Sequence, residues 1–267
     1  MKIAIVTGAS SGMGREFVRQ LSGYVTVDEV WVIARRENAL LELSKECPYP
    51  IRPVALDLCD SASFDRLSAL LAEIKPDIRL LVNAAGFGKF GKFQNIPLEE
   101  DLRMIDLNCK ALIAMTRLCL PYMKEGSHIL QLDSLSAFQP VPYIATYGAT
   151  KALVLSYTRA IHTELKKSGI RVMAMNPFWV RTEFFDHACK TNASEVQNYI
   201  VIYEAKDVVA TGLHDLYKTK KQVSVHGFIA KGQCLLVKLL PHSLVMKVWV
   251  AQQKNRKTIP FSLSNTT

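Results

Sequence analysis

The sequence Thr7-Gly8-Ala9-Ser10-Ser11-Gly12-Met13-Gly14 lies between an apolar run, Lys2–Thr7, and an amphipathic segment, Gly12–Leu21. Glycines permit a tight turn and let the backbone approach a pyrophosphate, while free N–H groups at a helix N-terminus attract its charge. Glycine-rich patterns also occur in ordinary loops. This pattern is informative because it lies between a predicted strand and a predicted helix. The predicted contacts of a dinucleotide cofactor here are Gly8, Ser10, Ser11, Gly12, Met13 and Gly14.

Apolar runs and amphipathic segments alternate along the chain, and the runs are nearly continuous, as in strands buried on both faces. The predicted strands are Lys2–Thr7, Glu29–Ala34, Ile51–Leu56, Ile78–Asn83, His128–Asp133, Ile170–Asn176 and Gln222–His226. The predicted helices are Gly12–Leu21, Glu37–Cys47, Ser61–Ile74, Leu98–Lys124 and Thr146–Lys167. This alternation predicts an α/β fold: a single-domain, doubly wound, Rossmann-like parallel sheet of about seven strands with helices on both faces.

The composition is typical of a globular protein. The 267 residues, 49% of them hydrophobic, suffice for one large domain, so we assign 1–267 to a single unit. The six cysteines are scattered, which predicts no metal site and a reducing compartment. The first apolar run is too short for an export signal and no run would span a bilayer, so we expect a cytoplasmic protein.

The end of the second predicted strand, Ala34-Arg35-Arg36, bears on the choice of cofactor. An NAD site often has an acidic residue here for the adenosine ribose, whereas an NADP site has arginine for the 2′-phosphate. Ala34 stands where the acid is expected and two arginines follow, so NADP is favoured over NAD. The alternative is that Arg35 and Arg36 only cap the next helix in solvent.

The third and fourth predicted strands end in Asp57-Leu58 and Asn83-Ala84-Ala85-Gly86. Asp57 alone is typical of a helix-capping turn, because aspartate accepts N–H bonds well. The small residues of the second stretch leave room for a flat ring against the backbone. We therefore place both stretches among the cofactor contacts, as part of a larger pattern.

The stretch Tyr147–Lys151 lies at the start of an amphipathic segment. Side chains four residues apart share a helix face, so Tyr147 and Lys151 can point into one cleft. A nearby ammonium lowers the pKa of a phenol, which then exchanges a proton with a carbonyl oxygen. Ser134, at the end of the fifth strand, is placed to hold that oxygen, with Ser136 as competitor. Each feature alone also suits an ordinary surface pair or turn.

In this order and spacing, Thr7–Gly14, Asn83–Gly86, Asn108, Ser134 and Tyr147–Lys151 resemble the short-chain dehydrogenase/reductase family over roughly the first 185 residues. The resemblance implies that Tyr147 is the acid/base, Ser134 binds the substrate oxygen, and Asn108 positions a water in a proton relay. It also implies that Lys151 holds the nicotinamide ribose and depresses the tyrosine pKa, and that Asp57 contacts the adenine. Dimers or tetramers are usual in the family.

The stretch after the sixth strand departs from the family pattern. Phe178 stands where members commonly have glycine after Pro177, which leaves the conformation of this loop open. Thr182 matches the threonine expected to bind the carboxamide, and we include Pro177 and Val180 among the cofactor contacts.

Residues 178–215 are predicted to cover the substrate. Aromatic residues concentrate in residues 178–203 and in the loop 87–93. A cleft lined by such rings suits a bulky lipophilic molecule, although core packing accounts for part of them.

Residues 228–267 form a basic, amphipathic C-terminal extension. No acidic residue follows Asp215, whereas nine lysines and arginines follow it. The segment after Asp215 therefore carries the whole net charge of +9. The stretch Cys234–Lys257, interrupted at Pro241, fits two short helices lying peripherally on an anionic membrane. The alternative is a flap packed on the domain or on a second subunit.

These observations favour an NADP(H)-dependent oxidoreductase that interconverts a secondary alcohol and a ketone. The expected substrate is lipophilic: a steroid, a bile-acid-like molecule or a long-chain keto lipid. The alternative is a catalytically silent NADP-sensing regulatory protein, which would lack Tyr147 or Lys151, and both are present. No recognition helix or zinc module supports a nucleic-acid partner.

Overall fold

The computed structural model describes residues 1–188 and 195–254, and a seven-stranded parallel sheet forms its centre. Its strands are β1 (Lys2–Thr7), β2 (Glu29–Ala34), β3 (Ile51–Ala55), β4 (Asp77–Asn83), β5 (His128–Leu132), β6 (Arg171–Met175) and β9 (Val223–Ser224). Two short strands, β7 (Trp179–Arg181) and β8 (Ile202–Glu204), pair separately. The spatial order is β3-β2-β1-β4-β5-β6-β9. The carboxyl ends of β1 and β4 therefore flank the crevice where ligands bind in such sheets.

Helices cover both faces of this sheet. They are α1 (Gly12–Gln20), α2 (Glu37–Glu46), α3 (Ser61–Ile74), α4 (Leu98–Ile105), α5 (Leu112–Cys119), α6 (Ala145–Leu165), α7 (Phe184–Ala188), α8 (Ala205–Lys218), α9 (Phe228–Leu239) and α10 (His242–Lys254). Side chains of β1 alternate: Ala4 and Val6 join a core with α1, α2 and α8, whereas Ile3 and Ile5 join one with α3 and α5. Within the described ranges, no helix is both long and apolar enough to cross a membrane.

The predicted α/β fold is confirmed. All seven predicted strands and five predicted helical regions are present, with ends that differ by a few residues. The strands were recognisable because both their faces are buried. The C-terminal extension forms α9 and α10, which separate at Leu240-Pro241 as the proline predicts, while its residues 255–267 lie outside the described residues.

Several elements differ from the predictions. The single helix expected over Leu98–Lys124 contains a π-helical turn, Asp106–Ala111, and its regular part ends at Cys119, before Pro121. Helix α8 was not predicted, although Val209, Leu213 and Leu216 repeat at helical spacing and are fully buried. The strands β7 and β8 were also missed, since three-residue strands carry too little periodicity to detect.

Candidate active site

Two joined cavities open at the carboxyl ends of the strands. The larger, here called the outer cleft, has a volume of about 420 Å³ and extends from the turn after β1 past the ends of β2 and β3. The smaller, the inner pocket, has a volume of about 100 Å³ and lies between β5, α6 and β7. Both are lined by Met13, Ala84, Gly86, Leu132, Thr182 and Phe184. Because they share these walls, molecules bound in the two cavities would touch.

Most residues singled out in the sequence line these cavities. The outer cleft is lined by Gly8, Ser10, Ser11, Gly12, Met13, Gly14, Arg35, Arg36, Asp57, Leu58, Ala84, Ala85, Gly86 and Thr182. The inner pocket is lined by Ser134, Tyr147, Lys151, Pro177 and Val180. In the described part of the chain, Asn83 and Asn108 line neither cavity.

The turn after β1 packs tightly against the end of β4. Thr7 Oγ1 accepts hydrogen bonds from the backbone N–H groups of Ala84 and Ala85, both at 3.1 Å. Gly8 has a φ of +69°, and a Cβ added there would lie 2.8 Å from the Ala85 backbone. Only glycine fits this position, because other residues would meet both the backbone strain and the overlap.

The start of α1 faces the outer cleft. Its N-cap residue, Ser11, makes no side-chain capping bond to any described residue, so the N–H groups of the first turn remain available as donors. These donors, the positive end of the helix and the side-chain-free surface of Gly8 and Gly12 together fit a pyrophosphate. The outer cleft is therefore suited to a dinucleotide.

Arg36 spans the mouth of the outer cleft. Its Nη2 donates to Glu183 Oε2 at 3.1 Å and to Ser10 Oγ at 3.3 Å. Although Arg36 is the N-cap residue of α2, it makes no side-chain capping bond to that helix in the described structure. Arg35 lines the same cleft. The guanidinium of Arg36 thus turns toward the cleft and its neighbours, and the alternative that it caps α2 is not supported.

Asp57 belongs to the turn after β3. Its Oδ1 accepts a hydrogen bond from the Cys59 backbone N–H at 3.0 Å, which fixes the turn. The residue also lines the outer cleft. Asp57 does not cap α3, because the N-cap of that helix is Asp60, whose side chain accepts from the Ala62 N–H at 3.1 Å.

Tyr147, Ser134 and Lys151 meet in the inner pocket. The Ser134 side chain lies close to the Tyr147 hydroxyl and acts to lower its pKa, and Ser134 Oγ accepts from the Ser136 backbone N–H at 3.2 Å and from its hydroxyl at 3.0 Å. Ser136 also lines the inner pocket, so the choice of Ser134 over Ser136 for the substrate oxygen stays a prediction. Lys151 Nζ lies 5.7 Å from the centre of the Tyr147 ring and donates to the Leu132 carbonyl oxygen at 2.8 Å.

The implied role of Lys151 in lowering the pKa of Tyr147 stays a prediction. Burial raises the pKa of Tyr147, the nearby Ser134 side chain only partly opposes this shift, and Lys151 is not among its causes. Burial also lowers the pKa of Lys151, and the electrostatic attraction of Asp133 partly opposes this shift. The Lys151 ammonium donates to the Leu132 carbonyl oxygen and is attracted by Asp133.

Asp133 is a site residue that the sequence analysis missed. It is buried beside Ser134, its Oδ2 accepts from Asn176 Nδ2 at 2.5 Å, and burial raises its pKa. Asn176 Nδ2 also donates to the Ser134 carbonyl oxygen at 2.9 Å. The sequence signal that could have identified Asp133 is an acidic residue at the end of an apolar strand. A buried acid requires polar partners, so such a residue indicates a polar cluster. Together these groups fix the backbone that carries Ser134.

Asn108 and Asn83 lie behind the cavity walls. Asn108, in the π-helical turn, donates to the Phe87 carbonyl at 2.9 Å and to Thr150 Oγ1 at 3.1 Å, and accepts from the Phe87 N–H at 3.0 Å. Asn83 Nδ2 donates to Gln131 Oε1 at 2.9 Å and to Thr116 Oγ1 at 3.2 Å. Both side chains join the elements that form the site. The water-positioning role implied for Asn108 stays a prediction.

The loop with Phe178 has an ordinary backbone. Among the non-glycine residues described, only Lys75 and Tyr143 have positive φ, so Phe178 introduces no left-handed strain. Its ring packs against a cluster containing Leu135, Ala230 and Cys234. The substitution of glycine by Phe178 thus gives the inner pocket an additional apolar wall that is supported by α9.

The aromatic residues divide between pocket and core. Phe178, Trp179, Phe184 and Phe185 line the inner pocket, together with Trp249 of α10, which the sequence analysis did not assign to it. The indole N–H of Trp249 donates to the Pro142 carbonyl at 2.9 Å, and its ring stacks on Trp179 with centroids 6.3 Å apart. Phe90 is fully buried and Phe93 is 73% exposed. The pocket is thus predominantly apolar apart from the end that holds Ser134, Tyr147 and Lys151.

Comparisons with known proteins agree with this architecture. A family model described as short chain dehydrogenase matches residues 2–193. Very-long-chain 3-oxoacyl-CoA reductase-B of Danio rerio is 33% identical over 196 residues, which span 68% of this chain and 60% of that relative.

Solved structures show the same fold. A short-chain dehydrogenase from Sphingobium yanoikuyae in complex with NADPH has a TM-score of 0.74 at 24% identity, covering 91% of this chain and 98% of that one. The 3-ketoacyl-(acyl-carrier-protein) reductase from Brucella melitensis complexed with NADH has a TM-score of 0.71 at 26% identity, covering 83% and 94%. The chain belongs to the short chain dehydrogenase family, and is therefore assigned to the oxidoreductases.

Proposed function

We propose that this protein is an NADP(H)-dependent oxidoreductase that interconverts a secondary alcohol and a ketone on a lipophilic substrate. The observation that carries this proposal is the Ser134–Tyr147 pair, with Lys151 beside it, in an apolar pocket that joins a cleft suited to a dinucleotide. A nicotinamide cofactor bound in that cleft would accept or supply the hydride.

The protein's own residues handle the oxygen and its proton. Ser134 holds the substrate oxygen by a hydrogen bond, while Tyr147 donates its hydroxyl proton to that oxygen during reduction and accepts it during oxidation. Because burial keeps Tyr147 neutral, the pocket is ready to donate a proton to a ketone. Lys151 and Asp133 are both buried beside this reaction centre, and we assign Lys151 to holding the nicotinamide ribose.

The pocket lining supports a lipophilic substrate. Leu135, Val141 and Ile144 add to its aromatic walls, and Gln139 and Gln233 are polar members of the lining. Such a cavity favours flat or long apolar molecules held by a few polar contacts. The relatives that act on 3-oxoacyl and 3-ketoacyl groups also carry a ketone on an extended chain. A steroid, a bile-acid-like molecule or a long-chain keto lipid meets these requirements.

Cofactor preference gives a first prediction. Arg35→Asp is expected to weaken NADPH binding by about 10- to 150-fold, because a charge-assisted bond contributes about 1.5–3 kcal/mol, while NADH binding changes less. Glu183→Gln is the opposite test: it removes the anionic partner of Arg36 and should tighten NADPH binding. Titration of both cofactors against both variants measures this. Equal losses of NADPH and NADH in Arg35→Asp would exclude Arg35 as the phosphate contact.

The alternative function is a catalytically silent, NADP-sensing protein. The complete Ser134–Tyr147–Lys151 arrangement and the open inner pocket argue against it.

We further propose that the protein acts in the cytoplasm as a homodimer or homotetramer, as is usual in the family. A screen of ketones with NADPH and NADH, and of alcohols with the oxidised cofactors, tests the function through the nicotinamide absorbance. Binding of NADPH without turnover of any lipophilic ketone would favour the sensing role.

A further inference from the structure

Helix α9 has an apolar outer face. Phe228, Leu235 and Leu239 follow one line along the helix and are 91%, 62% and 74% exposed. Ile229 and Leu236 extend this face and are also at least half exposed. Single exposed apolar residues are common, but a contiguous patch of this kind marks an interaction surface.

The opposite face of α9 is what attaches the helix to the domain. Ala230, Cys234 and Val237 are buried and lie three and four residues apart. The helix is thus apolar on both sides, although it lies at the protein surface. The outer face is not needed for packing within the described chain and is available to a partner.

Basic residues border this face. Lys231 and Lys238 lie seven residues apart on one flank of α9, and Lys247 and Lys254 belong to α10. No acidic residue follows Asp215 in the sequence. The charge therefore complements a polyanionic surface. It disfavours a second copy of this chain, because a two-fold contact would place the same lysines close to one another.

We propose that α9, with α10 beside it, docks the protein on an anionic lipid bilayer. Phe228, Leu235 and Leu239 enter the boundary between headgroups and acyl chains, and Lys231 and Lys238 contact anionic headgroups. Helices that combine a basic flank with large apolar side chains bind the interface in this way.

The same two helices form part of the inner pocket. Gln233 of α9 and Trp249 of α10 line it, on the side of these helices that faces the domain. Docking would therefore bring the pocket close to the membrane, from which a lipophilic substrate can enter. This consequence for substrate delivery rests on the proposed function, whereas the docking itself does not.

Co-sedimentation of the full-length protein with vesicles tests the proposal. We expect the protein to bind vesicles of phosphatidylcholine mixed with phosphatidylglycerol, and to bind pure phosphatidylcholine vesicles more weakly. Binding should also decrease with salt, because the electrostatic screening length falls to about 3 Å at 1 M. Lys231→Gln with Lys238→Gln should weaken partitioning about fivefold for each lysine. Phe228→Ser, Leu235→Ser and Leu239→Ser together should weaken it by about tenfold for each side chain.

A matched control separates this surface from net charge. Lys166→Gln with Lys167→Gln removes two exposed lysines of the turn after α6 and should leave vesicle binding nearly unchanged. Thermal denaturation of each variant verifies its fold independently of cofactor binding and turnover, so a failed activity screen does not affect the result. No pelleting at low salt, or equal losses in both lysine pairs, would overturn the proposal. An oligomer that dissociates in the triple serine variant, without vesicle binding, would instead assign the face to a second copy.

Discussion

Tyr147→Phe is expected to lower turnover by about 10²- to 10⁴-fold, the usual contribution of acid/base catalysis. The substitution removes only the hydroxyl, which lies close to Ser134, and the ring keeps its contacts with Phe90 and Phe184. Stability and cofactor affinity should therefore remain close to those of the unchanged protein. Steady-state kinetics with a substrate found in the screen, together with NADPH titration, measures both quantities.

Tyr157→Phe is the matched control for this experiment. Tyr157 lies on the same helix, α6, is half-buried near Thr116, and does not line the inner pocket. Its loss should alter stability by about 1 kcal/mol and leave turnover intact. Near-normal turnover of Tyr147→Phe would show that another group donates the proton.

Gly14→Ala is expected to destabilise the protein and impair the outer cleft, although alanine is normally preferred over glycine in a helix. A Cβ at this position would overlap the Gly8 carbonyl oxygen, which belongs to the turn that contacts Ala85. Overpacking of this kind costs about 1–3 kcal/mol, equivalent to about 2–4 °C in Tm per kcal/mol for a chain of this size. The displaced turn should also lower kcat/KM by on the order of 10²-fold.

Gly232→Ala provides the comparison. This glycine lies in α9, and no atom of the described residues lies within 4 Å of the position of its added Cβ. The change should raise stability by about 1 kcal/mol through helix propensity alone. Thermal denaturation of the two variants side by side measures the difference. If Gly14→Ala were as stable as Gly232→Ala and bound NADPH normally, the packing of the turn against Gly8 would not constrain this site.

The sequence was sufficient to predict the central sheet, because continuous apolar runs that alternate with amphipathic helices are compatible with few folds other than a parallel sheet covered by helices. The small β7–β8 sheet could not be predicted, since its pairing depends on contacts between Trp179–Arg181 and Ile202–Glu204, which are distant in the chain. Helix α8 was predictable in principle from the spacing of its buried side chains. What the sequence lacked was therefore mainly information on long-range contacts.

The placement of the candidate site residues could be predicted where the backbone determines it, but not where it depends on the orientation of side chains. The glycine-rich turn and Tyr147 follow from local spacing on strand ends and one helix face. The direction of the Asn83 and Asn108 amides depends on Gln131, Thr150 and other residues far along the chain. The buried state of Tyr147 likewise depends on Gly88, whose missing side chain leaves room for the Tyr147 and Phe184 rings. Local patterns cannot specify such neighbours.

The stacked pair of Trp179 and Trp249 has a practical consequence. The chain contains three tryptophans, and two of them line the inner pocket, whereas Trp31 is fully buried within the sheet core. A molecule that fills the pocket must change the surroundings of both indoles at once. The intrinsic ultraviolet emission of the protein therefore reports occupancy at equilibrium, even for a lipid that has no chromophore and is not turned over.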